Sequence, residues 1–275
     1  VSFRQVIELS DLGDGHYLGP GVPSEMQRTF GGQVIGQALQ SAQQTVEAKT
    51  ANSLHAYFVG GGLSAEPIDF TVHTVRDGRT FSHRRVTGWQ GDKEIVEMLV
   101  SFRRPGDQGP EHAAQLPDVP GPEECRDHAA DWPSTSRIVL GEWSDWDVVM
   151  VPDEYDNSHH AQDKYGAGAR HIWFRYNAGL GDDPDLNQVA LSYLSDMTLL
   201  NSTLISHPDA RVQMASLDHS LWFFDELKVD EWLLYEQDSP FAGGGRGFAQ
   251  GRVFRQDGAL VAQVNQEGLI RWLKE

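Results

Sequence analysis

Asp77-Gly78-Arg79-Thr80-Phe81-Ser82-His83-Arg84-Arg85-Val86 and, far downstream, Gly244-Gly245-Arg246-Gly247-Phe248-Ala249-Gln250-Gly251-Arg252-Val253 carry Arg, Phe, Arg and Val at the same offsets. The first stretch runs on through a Gly-Asp turn to Ile95–Phe102, and the second through Gln256-Asp257-Gly258 to Leu260–Ile270. Upstream, Ser53-Leu54-His55-Ala56-Tyr57-Phe58 is echoed by Ser216-Leu217-Asp218-His219-Ser220-Leu221-Trp222-Phe223. An internal repeat decides the architecture before any local reading does, and here it indicates two copies of one unit.

Each copy begins with a helical candidate, Gln33–Ala48 rich in Ala, Gln and Leu, and Leu186–Ile205 with leucines at helical spacing. Extended segments follow, alternating apolar and polar residues, as in Ile68, Phe70, Val72 and in Val96, Met98, Val100, Phe102. Their Asp-Gly and Gly-Asp turns join neighbours as antiparallel hairpins. One long helix followed by a meander of strands, twice, predicts an α+β chain. With each helix lying along a curved antiparallel sheet, the expectation is a double hot-dog fold. The repeats are placed at 1–104 and 161–275.

Between them, residues 105–160 read as a linker. The 275-residue chain has a net charge of −18, unevenly spread. Residues 1–104 hold 11 acids and 10 bases, residues 105–160 hold 13 and 2, and residues 161–275 hold 16 and 10. Six of the 13 prolines fall between Pro105 and Pro133, so the acidic stretch is expected to be a long surface connection. The overall charge argues against nucleic acid, and no apolar run approaches the ~18–20 residues of a membrane-spanning helix. Cys125 stands alone among acids, which excludes a disulfide framework or cysteine metal site within the chain and makes a nucleophilic thiol unexpected. With no signal pattern at the start and no peroxisomal address at Trp272–Glu275, a reducing, cytoplasmic setting is expected.

Phe30-Gly31-Gly32-Gln33-Val34-Ile35-Gly36-Gln37-Ala38-Leu39, Leu54–Phe58, Arg76–Ser82, His171–Arg175, Leu217–Phe223, Glu231–Tyr235 and Asn265–Arg271 form a series of longer motifs that spans nearly the whole chain and fails mainly in the linker. Through these motifs the sequence resembles the acyl-CoA thioesterase II family. The resemblance implies hydrolysis of an acyl-CoA thioester to free acid and coenzyme A, with no cofactor and assembly at least to a homodimer. It also implies that a carboxylate, a hydroxyl and a glutamine activate water, roles that fall on Asp196, Ser216 and Gln266. Ser216 stands where bacterial members carry threonine, and the hydroxyl is kept.

The repeat offers a separate check. Asp196 precedes Ser216 by the same interval that separates Gln33 from Ser53, and Ser101 falls roughly opposite Gln266. An amide is no base, so the chemistry is expected in the second half. An Asp is most often a surface acid, but this one sits in the apolar run Leu194–Leu200, where burial demands partners. Ser216 lacks the Gly-x-Ser-x-Gly elbow of a covalent nucleophile, and His219, three residues on, should face the other way. Gln266 would ordinarily be exposed unless a bulge at Glu267-Gly268 turns it inward. Gly32 is a candidate oxyanion donor through its N–H. Arg79 and Arg246, and more weakly Arg84 and Arg85, are candidate phosphate contacts. The Gly243–Gly245 run, which could approach a phosphate, reads rather as a loop or bulge before a strand. His55 reads as a hydrogen-bonded structural residue, His159-His160 and His171 lack metal spacing, and the tryptophans read as core. Two alternatives remain open at this level: a non-catalytic acyl-CoA sensor, and a hydratase or dehydratase on the same fold.

Overall fold

The computed structural model describes residues 1–24, 26, 28–125, 143–152 and 168–273; His159 and His160 lie outside them. In chain order its elements are helix α1 (Phe3–Val6), β1 (Ser10–Gly13), β2 (His16–Gly19), helix α2 (Gly31–Gln43), β3 (Thr50–Tyr57), β4 (Ile68–Asp77), β5 (Phe81–Gln90), β6 (Lys93–Arg103), β7 (Trp146–Met150) and β8 (Arg170–Tyr176). Helix α3 (Pro184–Ser195), a 3₁₀ turn at Leu200–Leu204, β9 (Val212–Ser216), β10 (Asp218–Phe223), β11 (Leu233–Gly243), β12 (Arg246–Arg255) and β13 (Leu260–Trp272) complete it. The chain forms two compact units, one of Val1–His112, Asp182–Asp196 and Asp218–Phe223, the other of Ala113–Gly181, Met197–Leu217 and Phe224–Glu275.

In the first unit the strands follow the order β1-β2-β4-β5-β6-β3-β10, each pair antiparallel. The two echoed segments meet here: β3 and β10 pair with Leu54 opposite Leu221 and His55 opposite Ser220. Helix α2 packs against both the sheet and α3, which is why it is buried on nearly every side from Gly32 to Leu39. Its interior amides need partners, and Gln37 Nε2 donates to Val6 O at 2.7 Å while Gln33 Nε2 donates to Pro20 O at 3.1 Å. Helix α2 ends five residues short of the expected Ala48; Ala48 itself has φ +54, a conformation no α-helix continues through.

The second unit runs in the order β9-β13-β12-β11-β8-β7, again antiparallel. Its core gathers Cys125, Val151, Trp173, Trp232, Leu234 and Phe254, with Leu116 and Val119 packed against them. The acidic stretch therefore does more than bridge over the surface. Val119 and Cys125 help to fill this core, Trp173 Nε1 donates to Pro120 O at 2.8 Å, and Trp146–Met150 is a strand. A few apolar residues spaced between prolines suffice to dock an extended segment, a signal that bulk composition hides. The tryptophans pack as expected, with Trp146 edge-on to Tyr176 and the Arg175 guanidinium over Trp232 at 4.6 Å.

The second helical candidate is not one helix. The chain leaves α3 at Asp196, passes through Thr198 at φ +63 and resumes as the 3₁₀ turn. Gln33 and Asp196, read as equivalent from spacing, accordingly occupy different α-helical positions: Gln33 lies in the first turn of α2, and Asp196 is the C-cap of α3.

Candidate active site

The break after α3 is what frees Asp196. A β-branched residue in the left-handed region costs about 1–2 kcal/mol. Thr198 is held there by Gln237, a fully buried amide that accepts from Thr198 Oγ1 at 3.1 Å and donates to Met197 O at 3.3 Å. In the first unit, the Asp196 carboxylate, with only 8% of the side chain exposed, reaches the start of α2. Asp196 Oδ2 accepts the Gly32 N–H at 3.1 Å. Helix α2 has Phe30 at its N-cap and gains no side-chain hydrogen bond from it, so Asp196 acts as its cap from 164 residues away. The positive end of a helix is a favourable seat for a carboxylate.

Both glycines of Phe30-Gly31-Gly32 are required by this approach. A β-carbon at Gly31 would lie 2.6 Å from Asp196 Oδ2 and 3.0 Å from the Phe58 ring, and one at Gly32 would collide with the Tyr193 carbonyl. The other carboxylate oxygen, Oδ1, lies 3.9 Å from His219 Nδ1. His219 is fully buried, and burial pushes its imidazole down to about 3, so it is neutral near pH 7 and this contact is not an ion pair. His219 Nε2 lies 2.8 Å from Ser195 Oγ.

In the second unit, Gln266 Nε2 donates to Ser216 Oγ at 2.7 Å. Ser216 is half-buried and Gln266 fully buried. No bulge is needed to turn Gln266 inward. The β12–β13 register runs unbroken through Ala249 opposite Gln266 and Gly247 opposite Gly268, and simple alternation sets Val264, Gln266 and Gly268 on the buried face. Gly268 leaves room for Leu200, which occupies the space its β-carbon would take.

The structure thus brings Ser216 to Gln266 in one unit and Asp196 to Gly32 in the other. The Gly32 N–H, expected to face an oxyanion, is engaged by Asp196. Arg79 sits exposed in the turn between β4 and β5. Arg246 opens β12, with Nη1 2.9 Å from Glu267 Oε1. Arg84, by contrast, is buried: Asp77 grips it at 2.9 and 3.2 Å and Thr45 at 2.8 Å, so it serves the fold rather than a phosphate. The Arg84 hydrogen bond also holds the Asp77 carboxyl below the usual range. Arg85, on the opposite face, lies 3.7 Å from Glu97. Gly244 and Gly245 take φ +60 and +75 as the two-residue turn of the β11–β12 hairpin. The expected hydrogen bond of the His55 side chain within its sheet is not found among the described residues. Leu54 and Ala56 take the buried face, leaving His55 exposed and edge-on to Trp222. His171 is buried, 3.7 Å from Glu236, which also pairs with Arg252. Among the described residues no cluster of His, Cys, Asp and Glu is placed to hold a metal ion, and no helix is long and apolar enough to cross a membrane.

Residues 142–269 match the acyl-CoA thioesterase family, and residues 20–103 match the acyl-CoA thioesterase N-terminal domain. Mouse acyl-coenzyme A thioesterase 8 is 34% identical over 98% of this chain and 89% of its own length. The chain belongs to the acyl-CoA thioesterase II family. Acyl-CoA thioesterase II TesB2 of Mycobacterium marinum superposes with a TM-score of 0.85 at 39% identity, covering 98% of each chain. A hot-dog-fold protein of Alicyclobacillus acidocaldarius, 20% identical, gives a TM-score of 0.80 over 99% of this chain and 98% of its own, and confirms the fold alone. The thioesterase's α+β double hot-dog architecture is therefore as expected from the repeat. Sequence reasoning missed Ser195 and the burial of His219 against it. Alternation along β10 assigns His219 to one face, but nothing in it marks that face as the one that meets Asp196.

Proposed function

We propose that this thioesterase hydrolyses acyl-CoA to free acid and coenzyme A by direct attack of water, with Asp196 as the base and Ser216 and Gln266 as the groups that orient the nucleophile. The water oxygen bonds to the thioester carbon while its proton passes to the Asp196 carboxylate and the carbonyl electron pair moves onto oxygen. Collapse breaks the C–S bond, and the proton held by Asp196 goes to the departing thiolate, restoring the carboxylate. The observation that carries the reading is the Gln266–Ser216 bond. The partner of the serine oxygen is an amide donor, which cannot accept the serine proton, so Ser216 is equipped to donate to a water rather than to become an acyl-serine. A hydratase would need a histidine that touches substrate, a role closed to the buried His171 and His219.

Asp196→Asn is expected to fold normally and to release thiol from fatty acyl-CoA on the order of 100-fold more slowly, as loss of a general base does. Unchanged turnover sinks the assignment of the base. A panel of acyl chain lengths, read by free thiol, separates an enzyme from a sensor. The same proposal includes a reducing compartment, supported by a single buried cysteine, and a homodimer or larger assembly, checked by sedimentation.

A further inference from the structure

We propose that Ser195 and His219 are positioning residues for the base: Ser195 gives its hydroxyl proton to His219 Nε2, which leaves the Nδ1–H directed at the Asp196 carboxylate. The inference rests on Asp196 being the base. Three distances frame it. Ser195 Oγ lies 2.9 Å from Ser192 O and 2.8 Å from His219 Nε2, and His219 Nδ1 lies 3.9 Å from Asp196 Oδ1.

One serine proton has two claimants. If it goes to the Ser192 carbonyl, His219 Nε2 must carry the ring hydrogen, and the bare Nδ1 then faces an ionised carboxylate, lone pair against lone pair. If it goes to Nε2, the ring hydrogen sits on Nδ1 and its positive end faces Asp196. An ionised Asp196 selects the second arrangement. When Asp196 takes the proton of the attacking water the preference reverses, because a carboxylic acid donates and Nδ1 then accepts. The imidazole stays neutral throughout, as its burial requires.

At 3.9 Å the Nδ1–Oδ1 contact lies outside hydrogen-bond range, so it orients the carboxylate as a dipole does and tightens with a small approach. The geometry imitates a nucleophile–histidine–acid triad with the roles inverted. Ser195 is fully buried and bears no acyl group; it fixes the tautomer. His219 itself is fixed by the β3–β10 ladder, where it pairs with Ala56. Gly32 holds one oxygen of the base and His219 faces the other, which sets the carboxylate plane.

The test compares kcat and KM for thiol release among the wild type, Asp196→Asn, Ser195→Ala, His219→Asn and His219→Gln, with thermal melting of each. An asparagine amide sits near the Nδ1 position, and a glutamine amide sits near Nε2. His219→Asn is therefore expected to keep kcat within about threefold. His219→Gln and Ser195→Ala are expected to lose about 10- to 100-fold in kcat at unchanged KM, the range seen when outer-shell partners of a reactive group are removed. Equal kcat in the Asn and Gln variants, or full kcat in the well-tolerated Ser195→Ala, overturns the inference. If Asp196→Asn itself turns over normally, it is the reading of the base that fails.

Discussion

The neutral, buried imidazole of His219 makes the stability of the fold depend on pH in a way that is calculable. The side chain is fully buried, and burial moves its pKa from 6.5 to about 3. Between those values the unfolded chain binds a proton at this position and the folded chain does not, so stability rises with pH and is lost as pH falls below 6.5. From pH 8 to pH 5.5 the unfolded state gains about RT ln 11, which is about 1.4 kcal/mol, while the folded state gains almost nothing. The interval stays above the isoelectric point of about 4.9. The assay is urea unfolding at the two pH values for the wild type and for His219→Asn, which cannot titrate. The other ten histidines are common to both proteins and cancel in the difference. The wild type is expected to lose about 1.4 kcal/mol more than the variant on acidification. An equal loss in both, within about 0.5 kcal/mol, the usual uncertainty of such comparisons, refutes the argument that the ring is held neutral by burial.

Gly31→Ala forces a β-carbon to within 2.6 Å of Asp196 Oδ2, and the displaced carboxylate is expected to cost on the order of 100-fold in kcat with an unchanged circular dichroism spectrum. Gln266→Leu removes the donor to Ser216 from a fully buried site; a loss of about 10²–10³ in kcat is expected, measured by thiol release at saturating acyl-CoA. Arg84→Met strands the Thr45 carbonyl and frees Asp77, and is expected to lower unfolding stability by about 2 kcal/mol while leaving KM for acyl-CoA unchanged, since the guanidinium is already fully engaged.

The antiparallel framework was legible because alternation and glycine turns act locally. The β4–β5 and β11–β12 hairpins stand where the repeated Arg-x-Phe stretches place them. The pairing of Leu54 with Leu221 was visible as an echo between segments, though not as a contact. The break at Asp196 was hidden, because Thr198 enters the left-handed region without the glycine that normally announces it; a tertiary bond from Gln237 compensates for the strain. Adjacent Arg84 and Arg85 show a second limit. Period-two alternation puts them on opposite faces, but which face meets α2 depends on partners far away in sequence, Thr45 among them. Gln266 shows the reverse error: its inward direction needed only the alternation already present in Val264 and Gly268, and a bulge was one device too many.

Asp196 and the start of α2 depend on each other in a way that bears on why the first repeat retains its double glycine. Helix α2 begins on Phe30, which offers no capping oxygen, and an uncapped N-terminus in a buried setting leaves donors unsatisfied at a cost of about 1–3 kcal/mol each. Asp196 satisfies the Gly32 donor, and the same bond satisfies a carboxylate that is itself almost wholly out of water. Moving Asp196 would uncap the helix, and filling Gly31 would push its carboxylate away. The start of α2 supplies the rigid backbone donor against which the Asp196 carboxylate is set. The requirement falls on backbone and empty space rather than on a reactive side chain, which is why it reads in the sequence only as two glycines.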